Sequence, residues 1–142
     1  MNHVVDALIE IPLGSRNKYE LDEATGRIKL DRVLYAAMIY PAEYGILEHT
    51  LAPDGDPLDI LVICSDPTFP GCTVPARVLG CLSMVDDGKL DYKLISVVDC
   101  DPRYAPQRSV PESLSGMKKG ERKLSLFHFI LFSKVAEANV DS

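Results

Sequence analysis

Residues 54–62 read DGDPLDILV. Asp54, Asp56 and Asp59 fall within six positions, and the apolar run from Leu58 to Cys64 follows at once. Asp-Gly and Asp-Pro are common turn pairs, so a turn accounts for Asp54-Gly55 and Asp56-Pro57. It does not account for Asp59, which sits between Leu58 and Ile60. The run is apolar on both faces, as a central strand is. A carboxylate inside such a strand needs a partner, because an unpaired buried charge is costly. An EF-hand loop fails by position. Counted from Asp54, position five is Leu58, position six is Asp59 and position twelve is Ser65, where that loop needs an acid, a glycine and a glutamate. An oxygen-rich site for Mg²⁺ remains, with divalent charge offsetting the repulsion among the carboxylates.

Working outward, most of the chain reads as strands and turns. Val4 to Ile11 is mostly apolar and is broken by Pro12, Gly14 and Asn17. Lys18-Tyr19-Glu20-Leu21 alternates polar and apolar, Asp22 to Gly26 turns, and Arg27 to Val33 alternates again. Tyr40-Pro41 and Tyr44-Gly45 mark an irregular aromatic stretch. Arg77 to Val85 and Tyr92 to Val98 are two further strands joined by a polar turn over Asp86 to Leu90. Short strands at this spacing predict a small barrel. No repeat, low-complexity segment or linker interrupts the chain, so residues 1–142 are expected to form one mainly β domain. Beyond Pro106 the character changes. KKGERK at 118–123 is a charge cluster, and Leu124, Phe127, Leu131 and Val135 have helical spacing over 124–138.

Composition narrows the function. The 142 residues carry a net charge of −6, with 46% hydrophobic and 25% charged residues, the balance of a globular protein. Acidity argues against a nucleic-acid partner. It also disfavours an enzyme acting on an anion, unless a metal cation supplies the positive charge. Cys64, Cys72, Cys81 and Cys100 form no C-x-x-C pair, so free, buried thiols are expected. MNHVVDALIEI lacks the basic start of a signal peptide. No apolar run reaches the ~18 residues of a membrane span.

A second acidic group, Asp86, Asp87 and Asp91, lies in MVDDGKLDYK. Asp91 and Lys93 are two apart on a strand and share a face. Lys18 and Glu20 share a face of another strand, and Arg32 ends a third. Singly, each basic residue reads as a surface charge and each hairpin acid as a solvated turn. Placed together near metal, Lys and Arg would clamp phosphoryl oxygens, and the Tyr40 and Tyr44 hydroxyls could bond to them as well.

IEIPLGSRNKYELD, DRVLYAAMIYPAEYG, DGDPLDILV and MVDDGKLDYKL occur in this order and at this spacing. Together they make the chain resemble the bacterial type of family I soluble inorganic pyrophosphatase, from about Leu8 to Tyr104. The D-G-D-P-x-D-[IV]-L-V stretch is that family's signature. The resemblance implies an α+β, mainly β fold: a five-stranded, OB-like closed barrel with flanking helices. It implies hydrolysis of pyrophosphate to two orthophosphates with Mg²⁺, for which Mn²⁺ or Zn²⁺ are possible substitutes. Carried over, Asp54, Asp59, Asp86, Asp91 and Glu20 would hold metal and Asp56 would be the general base. Lys18, Arg32, Tyr44, Lys93 and Lys134 would bind phosphate. Glu10, Tyr40 and Asp87 would stand behind them. A cytoplasmic role and a homo-oligomer, a hexamer in bacterial members, are further expectations. No nucleic-acid or membrane partner is expected.

The C-terminal third departs from the pattern. HFILFSK at 128–134 keeps His128, Phe129 and Lys134 but has Ser133 where the family has tyrosine. Losing one hydrogen bond to a charged phosphate, about 1.5–3 kcal/mol, would slow such an enzyme roughly ten- to a hundredfold. Two rivals remain open at this level. A nucleic-acid-binding OB barrel would need a basic, aromatic groove. A non-catalytic paralogue, acting as an assembly subunit or pyrophosphate sensor, would keep the barrel with an altered C-terminus.

Overall fold

The computed structural model describes residues 3–34, 39–53, 55–86 and 88–107. Seven strands carry the chain: β1 (Val4–Ile11), β2 (Asn17–Asp22), β3 (Arg27–Val33), β4 (Glu43–Leu47), β5 (Leu58–Ile63), β6 (Thr73–Asp86) and β7 (Lys89–Val98). Five of them close into a barrel in the order β1-β4-β5-β7-β6, and β2 and β3 form a separate two-stranded ribbon. Barrel pairing is antiparallel apart from β5 with β7, which run parallel. The expected five-stranded closed barrel is therefore present. Among the described residues the only helical piece is the 3₁₀ turn Pro102–Tyr104. The helix expected over 124–138 lies outside them. No helix among the described residues is long and apolar enough to cross a membrane.

Both faces of β5 are buried, as its unbroken apolar run requires. Ile60 and Val62 pack with Ala7, Ile9, Val74 and Ala76. Leu61 and Ile63 face the other way and pack with Ile11, Tyr44, Ile95, Val97 and Tyr104. Period-two alternation then places Asp59, Leu61 and Ile63 in one row. Asp91, Lys93, Ile95 and Val97 form the matching row on β7. The catalytic candidates thus continue an apolar face at the point where its hydrocarbon gives way to charge.

Three sequence-level expectations change. The stretch around Tyr44-Gly45 is not irregular but is strand β4, paired to β1 and β5. Gly45 breaks strand propensity, yet the pairing demands it: a Cβ there would lie 2.1 Å from the Leu8 carbonyl oxygen. The hairpin turn over 86–90 is shorter than expected, because β6 and β7 pair as far as Asp86 with Lys89. Of the four thiols, all free, only Cys64 is buried, while Cys81 and Cys100 are exposed.

Glu43 is a buried carboxyl group that the sequence did not flag. Its side chain is fully buried. The carboxylate accepts the Thr68 N–H at 2.7 Å, together with the Thr68 hydroxyl and the Leu13 N–H. It thereby ties the loop after β5 and the turn after β1 to β4. Exchange of Glu43 for glutamine turns one acceptor into a donor facing a donor. It is expected to cost about 1–3 kcal/mol, read as a lower denaturation midpoint at unchanged slope. An unchanged midpoint would mean that the two loops hold without it.

Candidate active site

The parallel pairing of β5 and β7 puts Asp59 directly beside Lys93. Lys93 Nζ is 2.5 Å from Asp59 Oδ2, 3.1 Å from Asp91 Oδ2 and 3.3 Å from the Tyr44 hydroxyl. It also lies 5.6 Å from the centre of the Tyr44 ring. The lysine side chain is 6% exposed, against 21% and 16% for its two carboxylate partners. One buried ammonium thus gathers two carboxylates and a phenol from three strands. Burial draws the Lys93 pKa down, but the Asp59 and Asp91 carboxylates outweigh it and hold the value above the ordinary 10.5. Burial pushes Asp59 up against the pull of Lys93. Burial, reinforced by Asp59, raises the Tyr44 hydroxyl well above its ordinary range, so it stays protonated.

Glu10, on β1, links this barrel cluster to the ribbon. It is 7% exposed and accepts the Leu21 N–H of β2 at 2.8 Å. Burial raises its carboxyl from 4.5 to about 7. Leu21 opposes the shift, Asp59 and Glu20 add to it, and Lys18 pulls back. A carboxyl with a raised folded pKa retains its proton after the unfolded chain has lost it. Stability therefore falls as pH rises from about 4.5 to about 7. In chelator, the Glu10→Gln variant is expected to lose this slope. It should be more stable than the parent at pH 8 by on the order of 3 kcal/mol, the size of such a shift. Parallel stability–pH curves would mean that Glu10 is not held neutral.

The ribbon supplies the other cations. Lys18 and Arg32 are register partners on β2 and β3, and both lie beside Asp31: Lys18 Nζ at 3.4 Å and Arg32 Nε at 3.2 Å from its Oδ2. Glu20, two residues on from Lys18, is exposed.

Tyr40 is fully buried in the core, 6.3 Å from Tyr44 between ring centres. Burial pushes its hydroxyl up to about 12, so it stays protonated. Asp56 is exposed at the bend before β5. Asp86 ends β6, while Asp54, Asp87 and Lys134 lie outside the described residues. Among the described residues no three His, Cys, Asp or Glu side chains gather as a metal site. Asp59 and Asp91 nevertheless converge on a single cation, and all their donors are carboxylate oxygens, the set preferred by a hard divalent ion. The residues present fit such a metal. Asp31 was missed from the sequence, although it adjoins Arg32.

Residues 7–138 match the family model described as inorganic pyrophosphatase. The chain is 60% identical over 111 residues to the inorganic pyrophosphatase of Geobacillus stearothermophilus, covering 78% of this chain and 67% of that one. It is 52% identical over 107 residues to the inorganic pyrophosphatase of Nostoc sp., covering 75% and 63%. The crystal structure of inorganic pyrophosphatase from Thermus thermophilus superposes with a TM-score of 0.72 at 50% identity, covering 75% of this chain and 62% of that one. A structure described as inorganic phosphatase from Anaplasma phagocytophilum also gives 0.72, at 31% identity, covering 95% and 94%. The chain spans about two thirds of the length of the curated relatives it matches.

Proposed function

Because the chain belongs to the inorganic pyrophosphatase family, we propose that it hydrolyses pyrophosphate to two orthophosphates with the help of a divalent metal, Mg²⁺, for which Mn²⁺ or Zn²⁺ could substitute. The observation that carries the proposal is the convergence of Asp59, Asp91 and the Tyr44 hydroxyl on buried Lys93. Asp54, Asp59 and Asp91 would hold metal, with Asp86 and Glu20 at further positions. The bound cations would acidify water and neutralise phosphate charge. Asp56, exposed at the bend before β5, would take the proton from the attacking water. Lys93 and the protonated Tyr44 direct N–H and O–H groups at phosphate oxygens. Lys18 and Arg32 do the same from the ribbon, and Lys134 is assigned the same task. Lys93 and Tyr44 are held by hydrogen bonds before substrate arrives, and the donors together would stabilise the charge that develops on the leaving phosphate. Buried Glu10 sets the distance between ribbon and barrel. Assembly as a homohexamer and a cytoplasmic role in drawing pyrophosphate-releasing synthesis forward belong to the same proposal. The acidic balance and the aspartate cluster at residues 54–59 speak against the nucleic-acid rival. The complete set of described donors speaks against a non-catalytic barrel.

The test is phosphate release from pyrophosphate with Mg²⁺ and with chelator. Release that requires the metal is expected. No release from protein whose thermal unfolding remains cooperative, with metal present, would favour the pyrophosphate sensor or assembly subunit.

A further inference from the structure

Lys18 pairs with Arg32, but the next residue of β2, Tyr19, pairs with Leu30. Asp31 is therefore the extra residue of a β-bulge. In a regular strand Asp31 and Arg32 would point to opposite faces. A bulge sets two residues against one and re-aims the side chains around it. The outcome is unusual for neighbours in a strand: Asp31 Oδ2 accepts from Arg32 Nε at 3.2 Å while pairing with Lys18 Nζ at 3.4 Å. One carboxylate oxygen serves both ribbon cations.

We propose that Asp31 is a positioning residue, which uses the bulge to hold Lys18 and Arg32 side by side as one anion clamp for the diphosphate. The inference rests on the reading of those two cations as phosphate ligands. Left alone, two like charges at adjacent positions repel, and each long side chain samples many rotamers. Asp31 opposes the repulsion and narrows the rotamers before the ligand arrives, which lowers the ordering cost of binding. It is itself an anion near an anion site. If repulsion of the ligand dominated, its removal would tighten binding, so the sign of the change decides.

The experiment is calorimetric binding of imidodiphosphate, a non-hydrolysable analogue, with Mg²⁺. Asp31→Asn is expected to weaken binding about three- to tenfold, the scale of two exposed ion pairs. Asp31→Glu should recover part of the loss. In a Lys18→Ala/Arg32→Ala background, Asp31→Asn should change nothing further, because Asp31 acts only through those two residues. A residue that merely stabilised the ribbon would weaken binding in either background. Unchanged or tighter binding by Asp31→Asn overturns the proposal, as does an undiminished effect in the double-alanine background. Failure of the parent to bind the analogue overturns it too. A parent that binds but releases no phosphate from pyrophosphate refutes the hydrolase alone, since the clamp is read by binding.

Discussion

Exchange of Asp56 for asparagine is expected to lower kcat for pyrophosphate hydrolysis by about 10²–10⁴, the usual contribution of a positioned general base, with little change in Tm. The two expectations rest on separate features. Asp56 is exposed, and main-chain bonds hold its bend: Ala52 N–H to the Asp56 carbonyl at 2.8 Å and Gly55 N–H to the Ala52 carbonyl at 2.9 Å. The backbone path therefore survives the substitution, as exposed positions generally tolerate change. Asparagine keeps the shape but cannot accept a proton at neutral pH. The water would then have to lose its proton to solvent while it attacks. Phosphate release with saturating pyrophosphate and Mg²⁺, beside a thermal melt, checks both halves. A rate within about threefold of the parent would remove Asp56 from the role of base, and a lowered Tm would make it a structural residue.

Residues whose chemistry clashes with their neighbours were legible in the sequence. Asp59 stands out because a carboxylate in an apolar strand needs a reason, and the reason is visible in Lys93, its partner across the parallel pair. Asp91 and Lys93 were placed on one face by period two alone. What escaped depends on pairing, which no local pattern records. β4 was hidden because Gly45 weakens strand propensity, although the close approach of Leu8 makes glycine necessary there. Asp31 looked like an ordinary charge because the bulge that turns it toward Lys18 exists only in the register between two strands. Glu43 likewise resembles any surface glutamate until the loops that bond to it are folded over it.

Replacement of Lys93 by methionine is expected to produce three effects at once. Methionine roughly fills the volume of the lysine stem, so the loss is mainly of charge and hydrogen bonds. In chelator, Asp59 and Asp91 are left partly buried without their ammonium, and breaking such an arrangement costs about 3–5 kcal/mol. The metal-free variant should therefore melt well below the parent. Pyrophosphate hydrolysis should fall at least ten- to a hundredfold in kcat/KM, since one charged hydrogen bond to phosphate is worth about 1.5–3 kcal/mol. The third effect separates this account from simple damage to the core. The proposed function puts a divalent cation on Asp59 and Asp91, the two carboxylates that Lys93 bridges, and like charges at such distances oppose one another. Without it the two carboxylates should take Mg²⁺ more tightly. Because a ligand stabilises in proportion to the logarithm of its concentration over Kd, Mg²⁺ should raise the Tm of the variant more than that of the parent. Thermal melts over a Mg²⁺ titration read the first and third effects together. Equal melting of variant and parent in chelator would mean that the carboxylates do not depend on Lys93. An equal or smaller Mg²⁺ shift would mean that Asp59 and Asp91 bind the ammonium but not the metal.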